Sequence, residues 1–124
     1  MKITADQKGR VAEEKARLFL EGKGYKTIFH RYKTPHGEID FLMIKEKTLI
    51  AVEVKYRNGP SSNAAESITL NQKQRIQNAF LHFLQNHPSY AEEYPFLQFD
   101  VVLLCSSKAL IHIPNAWQIE SEFL

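Results

Sequence analysis

Gly37-Glu38-Ile39-Asp40-Phe41-Leu42-Met43-Ile44, followed by Leu49-Ile50-Ala51-Val52-Glu53-Val54-Lys55, is the stretch from which the fold can be read. Each half runs or alternates apolar as buried and half-buried strands do, and only Lys45-Glu46-Lys47-Thr48 lies between them. A hairpin is the economical reading. A turn centred on Glu46 and Lys47 sets Asp40 opposite Glu53 and Glu38 opposite Lys55, with opposed Cβ atoms about 5 Å apart. Because side chains alternate faces, Glu38, Asp40 and Leu42 share a face with Ala51, Glu53 and Lys55, and Ile39, Phe41, Val52 and Val54 take the other. Four charges then converge on one patch of sheet. A slip of one residue in the turn would place Asp40 and Glu53 on different faces.

Like charges opposed in a sheet are destabilising, and buried isolated ions are costly, so this patch needs a compensating partner. A divalent cation is one. Carboxylate oxygens suit Mg²⁺ or Mn²⁺, which take one or two protein carboxylates and fill the rest of their shell with water and phosphate oxygens. Such an ion activates water and stabilises the oxyanion leaving a phosphodiester, and Lys55 on the same face would orient or deprotonate that water or offset charge on the phosphate. The other compensation is internal: Glu38 with Lys55, and Glu53 with Lys55 or Arg57, as ion pairs on a solvated sheet face. The spacing alone leaves both open.

Gly37-Glu38-Ile39-Asp40 followed by Val52-Glu53-Val54-Lys55-Tyr56-Arg57 resembles the signature of the YraN family of predicted endonucleases, within the PD-(D/E)xK restriction-endonuclease-like superfamily. The likeness extends along nearly the whole chain. Gly9-Arg10-Val11-Ala12-Glu13, Gly24-Tyr25, Lys73-Gln74-Arg75, Phe99-Asp100-Val101-Val102 and His112-Ile113-Pro114-Asn115-Ala116-Trp117 follow in the family's order and spacing. The resemblance implies a three-layer αβα sandwich with a mixed central sheet, a Mg²⁺-dependent site and a nucleic-acid substrate, with Holliday-junction resolvases among the structural relatives. It also implies roles: Asp40, Glu53 and Lys55 match the catalytic motif, and Glu13 matches the acid that the first helix often adds to the metal ligands. Ala12, Lys33 and Gln98 depart from the family's usual Gly, Arg and Arg, which touches the basic contacts and leaves the acidic core intact.

The composition bounds the rest. A chain of 124 residues with 44% hydrophobic content suits one domain spanning 1–124 with a core of its own. A net charge of +2 is too small for binding nucleic acid by bulk charge, so any such binding rests on local clusters. The one cysteine, Cys105, excludes an intramolecular disulfide and a Cys-rich zinc site, and its apolar setting reads as a buried thiol. The five histidines show no metal-ligand spacing. No signal-peptide core opens the sequence and no apolar run reaches membrane-spanning length, so a soluble cytoplasmic protein is expected.

Working outward, Thr4 to Glu21 reads as a helix with Ala12, Ala16, Phe19 and Leu20 on one stripe and Gly22 or Gly24 as its stop. Glu13 lies at the edge of that stripe, where the simplest alternative to a site role is an exposed pair with Arg17. Tyr25 to Tyr32 reads as the first strand. A loop over Lys33-Thr34-Pro35-His36-Gly37 follows, and with Arg31 and Lys33 it could hold a phosphate. Arg57 to Ala65 reads as a loop beside the site. Thr69 and Gln72 predict a capping box opening a second helix, with Ile76, Ala79, Phe80, Phe83 and Leu84 as its apolar stripe. Lys73 and Arg75 in its first turns suit a phosphate better than they suit the helix dipole.

His87-Pro88-Ser89-Tyr90 reads as a turn, Phe96 to Leu104 as a buried strand, and Ala109 to Ile113 as its hairpin partner. Pro114 and Asn115 read as the start of a final helix carrying Trp117. Asp100, inside an apolar strand, reads as structural and bonded to a neighbour. The expectation is therefore a metal-dependent endonuclease acting on nucleic acid, DNA ahead of RNA and branched DNA among the candidates. Its nucleic-acid contacts would be Arg31, Lys33, Arg57, Lys73 and Arg75, and a two-fold substrate would call for a homodimer. The rival is a non-catalytic nucleic-acid-binding or adaptor protein on the same fold, acting in recombination or DNA uptake.

Overall fold

The computed structural model describes residues 4–57, 68–106 and 109–118. The loop expected over Arg57 to Ala65 lies outside the described residues beyond Arg57. Helix α1 (Ala5–Gly22) leads into strands β1 (Lys26–Thr34), β2 (Gly37–Lys45) and β3 (Thr48–Arg57). Helices α2 (Leu70–Asn86) and α3 (Pro88–Glu93) follow, then strands β4 (Phe96–Cys105) and β5 (Leu110–Trp117). The sheet has the order β1-β2-β3-β4-β5, with β3 and β4 parallel and the other neighbours antiparallel. α2 and α3 occupy the connection that a parallel pair requires.

Both long helices start as their sequences dictate. Thr4 accepts from the Gln7 amide while Gln7 reaches back to Thr4, and Thr69 and Gln72 do the same for α2. α1 stops where Gly24 takes φ 94°: its amide bonds the Glu21 carbonyl and the Tyr25 amide bonds the Leu20 carbonyl. That pairing satisfies two carbonyls of the last turn and brings Leu20 against Tyr25 in the core.

The helices cover opposite faces of the sheet. On the α1 side, Ala16 and Leu20 pack on Phe41, Met43, Ile50, Val52 and Val102. On the α2 side, Ile76, Ala79, Phe80 and Phe83 pack on Leu42, Leu49, Ala51 and Phe99. The result is the three-layer α/β sandwich with a mixed central sheet. Phe80 and Phe83 are wholly buried, each worth about 1.5–3 kcal/mol in apolar transfer. Ile39, expected on the face of Phe41, packs instead in the α2-side cluster, beyond the point where β2 parts from β3.

Three local expectations are corrected. The loop expected from Lys33 to Gly37 is a tight turn, because β1 runs on to Thr34, whose hydroxyl accepts from the His36 and Gly37 amides and donates to the Gly37 carbonyl. The turn expected at His87-Pro88-Ser89-Tyr90 opens α3, with Pro88 in the first helical position, where a missing N–H costs nothing. Pro114 and Asn115 do not start a helix: β5 continues through Trp117. Asn115 takes φ 52° where the β4–β5 register shifts, and its amide bonds the Asp100 carboxylate at 3.0 Å in place of a ladder partner. A proline is tolerated there because β5 is an edge strand of the described sheet.

Candidate active site

The hairpin of β2 and β3 has the expected register, Lys45 facing Thr48 through to Phe41 facing Val52, and there the ladder ends. Asp40 ends it. Its Oδ2 accepts the Val54 amide at 2.7 Å, taking a donor that a continued ladder would have used. Beyond this point β2 stays paired with β1 up to Gly37, while β3 stays paired with β4 up to Arg57. The strands fork, and Asp40 and Glu53 are cavity neighbours instead of ladder partners. A cavity of about 250 Å³ lies in the fork, lined by Glu38, Asp40, Glu53 and Lys55 from the strands and Gln72, Arg75 and Ile76 from α2.

Gly37 lets α2 come this close. A Cβ there would stand 3.1 Å from the Arg75 carbonyl oxygen and 3.2 Å from its Cβ, so no larger residue fits without moving the helix. Gln72, Arg75 and Ile76 then reach the cavity together, as residues three and four apart on a helix do.

The carboxyls sit in an unfavourable field. Burial, and then the charge of Glu53, push Asp40 from the ordinary 3.8 up to about 8, against the Val54 amide bond that favours its ionised form. Burial also raises Glu53, although Lys55 offsets part of this from 3.4 Å. The side chains of Glu53 and Lys55 are only 14% and 20% exposed, so this is not an ion pair on a solvated sheet face. The donor set fits a hard divalent cation: two neighbouring carboxylates that burial drives toward protonation, with Lys55 offsetting only part of it, in a space with room for water and phosphate oxygens. Among the described residues no three His, Cys, Asp or Glu side chains gather closely enough to enclose an ion by themselves.

Glu13 does not line this cavity. Its Oε2 accepts from Arg31 Nη2 at 2.9 Å and Nε at 3.2 Å, and His30 Nε2 lies at 3.2 Å from the same oxygen. Glu13 nevertheless lies close enough for its charge to raise Asp40 further. Arg31 takes φ 55° in a strand, a conformation costing about 1–2 kcal/mol in an L-residue, which its two bonds to Glu13 help to hold. The pair with Arg17 that was the alternative for Glu13 is not formed, since Arg17 bonds Glu14 and Glu21.

The other basic candidates divide. Arg75 is in the cavity; Lys33 is exposed and faces Glu38 across β1 and β2, at the cavity's edge. Arg57 is exposed at the end of β3. Lys73 turns away to stand 5.8 Å from the Trp117 ring centroid. Locally Gln72 is a cap and Ile76 a core residue; their spacing with Arg75 on one helix face is the sequence signal that they share the site. His30, stacked on Phe41 with centroids 4.6 Å apart, had no such signal.

Across the sheet, Asp100 is fully buried and satisfied. It accepts from Tyr25 at 2.6 Å, Gln98 at 2.8 Å and the Asn115 amide, with His112 Nε2 at 2.7 Å. This is the structural role its sequence setting suggested. No helix among the described residues is long and apolar enough to cross a membrane.

Comparison with known proteins places these residues in a family. Uncharacterised protein family UPF0102 matches residues 12–104, which include Glu13, Asp40, Glu53 and Lys55. A UPF0102 protein of Parvibaculum lavamentivorans is 38% identical over 116 residues, 94% of this chain and 85% of that protein. One from Nitrobacter winogradskyi is 36% identical over 117 residues, 94% of this chain and 97% of its own length. UPF0102 protein bll0669 of Bradyrhizobium diazoefficiens is 37% identical over 116 residues, 94% of this chain and 85% of its own. With a matched span of this extent, and relatives similar along almost the full chain, the protein belongs to the UPF0102, or YraN, family.

Proposed function

We propose that the protein is an endonuclease that hydrolyses phosphodiester bonds in nucleic acid, DNA ahead of RNA. One observation carries this reading: Asp40 and Glu53 stand half-buried side by side where β2 and β3 fork, with Lys55 on one and Arg75 across the cavity. A merely structural ion-pair network has no need of two neighbouring carboxyls that burial raises in pKa, one of them raised further by the other's charge. Asp40 and Glu53 would hold Mg²⁺ or Mn²⁺, which when bound supplies activation of water and stabilisation of the leaving oxyanion.

The chain's own groups do the remainder. Arg75, with Lys33 at the rim, binds and orients the phosphate. Lys55 orients the attacking water, takes its proton, or offsets charge on the phosphate as it becomes five-coordinate. Glu13 acts as the auxiliary acid, biasing Asp40 through its charge while Arg31 and His30 hold it.

Asp40→Ala tests the assignment. The variant should fold, lose Mg²⁺ and Mn²⁺ binding in calorimetric titration, and cleave at least about 100-fold more slowly on a panel of branched, flapped and linear DNAs. Wild-type cleavage by Asp40→Ala would remove the site from the mechanism. The adaptor reading draws on the capture of Glu13 by Arg31, which leaves Glu38, Asp40 and Glu53 as the carboxyls at the cavity and takes the first helix's acid out of it. It requires DNA binding that Arg75→Ala weakens, with no cleavage under any divalent ion.

A further inference from the structure

A second cavity, of about 210 Å³, lies on the α1 side of the sheet at the far ends of β3 and β4. It is lined by Val11, Tyr56, Leu104 and Cys105, with Lys8, Lys15 and Ser106 as the polar residues. Leu104 and Cys105 are buried and Val11 is 46% exposed, so the cavity has an apolar floor and an open mouth. Ser106 donates its amide to the Arg57 carbonyl at 2.9 Å, tying together the strand ends that form the floor. Tyr56 directly follows Lys55, so the two cavities lie on opposite faces of the same strand end.

The cations of α1 are not equivalent. Arg10 is paired with Asp6, and Arg17 with Glu14 and Glu21. Lys8 and Lys15, the two that flank the cavity, make no ion pair among the described residues, and Lys8 Nζ stands 5.9 Å from the Tyr56 ring centroid. An apolar, aromatic slot between two unneutralised ammonium groups is complementary to a ligand with a flat apolar body and an anion on either side of it. A nucleotide within a strand has that form. Gly9 adds a further observation: it sits inside α1, one turn before Glu13, and a Cβ there would meet nothing within 4 Å. Glycine inside a helix costs roughly 1 kcal/mol against alanine, and here no packing among the described residues requires it. Open helix backbone beside Lys8, at the edge of the second cavity and one turn before Glu13, is where a phosphodiester strand can approach closely.

Resting on the nuclease reading, we infer that this second cavity receives a nucleobase turned out of the stack beside the cleaved bond. Lys8 and Lys15 hold the flanking phosphates, and the strand crosses α1 at Gly9. A base inside an intact duplex cannot enter, so the substrate class is nucleic acid with an unpaired nucleotide next to the scissile phosphate.

The test is binding without cleavage, by fluorescence anisotropy in EDTA with the full chain, using fluorescein-labelled single-stranded thymidylate 12-mer, an abasic 12-mer of the same backbone, and a 12-base-pair duplex. Wild type should prefer the thymidylate over the abasic strand by about tenfold. Tyr56→Ala should abolish that preference, and so should Val11→Glu, a change at an exposed position that leaves the floor intact, while duplex binding stays unchanged. Lys8→Gln with Lys15→Gln should weaken both single strands alike and lower the salt slope by between about one and two. Gly9→Ala should raise the melting temperature and weaken both strands.

Equal binding of thymidylate and abasic strands by wild type, or a preference that survives Tyr56→Ala and Val11→Glu, overturns the proposal. So does a dimer in sedimentation that Val11→Glu dissociates, since the face would then be covered by a second copy. Failure here with metal-dependent cleavage intact removes the base site alone; absence of cleavage of any nucleic acid under Mg²⁺ or Mn²⁺ removes the nuclease reading with it.

Discussion

Asp40, half-buried in the cavity, and Asp100, fully buried across the sheet, show how environment assigns opposite duties to one residue type. Asp40 is raised by burial and by Glu53, so the folded protein binds its proton more tightly than the unfolded chain does. Without divalent ions, Asp40's contribution to stability is therefore fully present below the ordinary carboxylate range and is lost as pH rises from that range to about 8, by at most about 1.4 kcal/mol per pH unit for one proton. Asp40→Asn should flatten that fall in urea titrations, and Mg²⁺ should restore wild-type stability at the alkaline end. An unchanged pH slope in Asp40→Asn would contradict the raised carboxyl. At Asp100 burial also acts upward, but hydrogen bonds from His112, Tyr25, the Asn115 amide and Gln98 outweigh it and hold the carboxyl below its usual range. Its contribution is present above the unfolded carboxylate range and is lost as pH falls through the lower folded value. Asp100→Ala strips several buried donors of their acceptor at once, and chemical denaturation should register a loss of about 3–5 kcal/mol.

At the scale of elements, the site depends on a helix and a strand approaching to within glycine distance. α2 carries Gln72, Arg75 and Ile76 into the cavity only because Gly37 presents no side chain to the Arg75 backbone. Gly37→Ala should cost about 1–3 kcal/mol through overpacking. It should also reduce cleavage more than any exposed alanine substitution on β1, because Arg75 moves with its helix. Kinetics showing full activity in a destabilised Gly37→Ala protein would mean that Arg75 is not needed where it stands. The fork of β2 and β3 has the same character: Asp40 takes the Val54 amide, and one side-chain bond converts a hairpin into a cleft.

The whole molecule is one sheet with a core on each face, joined through strands that contribute residues to both: β2 sends Leu42 to the α2 side and Phe41 and Met43 to the α1 side. Loss of either face exposes the other through the shared strands. Leu20→Ala on the α1 side and Phe80→Ala on the α2 side should each cost about 3–5 kcal/mol, and each should lower a single unfolding transition that near- and far-ultraviolet dichroism report alike. Two separated transitions in either variant would show that the faces unfold independently. The sequence by itself determined what local rules govern. Alternation and the turn at Glu46 and Lys47 set the hairpin register, the Thr-x-x-Gln boxes set both helix starts, and helical spacing set the α2 core. Strand alternation also turned Asp40, Glu53 and Lys55 toward one patch, but the ladder ends at Phe41 and Val52, so it is the fork and not the register that makes them cavity neighbours. Where long-range contacts outweighed local preference, the sequence reading failed or was silent. Pro114 and Asn115 imitate a helix start, yet a bond to Asp100, fifteen residues earlier, keeps them in β5. Glu13 has an i,i+4 partner available in Arg17, yet Arg31 takes it from another element. The cleft itself, with Gln72 and Arg75 over the carboxyls, exists only because α2 closes on Gly37, and no local pattern records an approach between segments more than thirty residues apart.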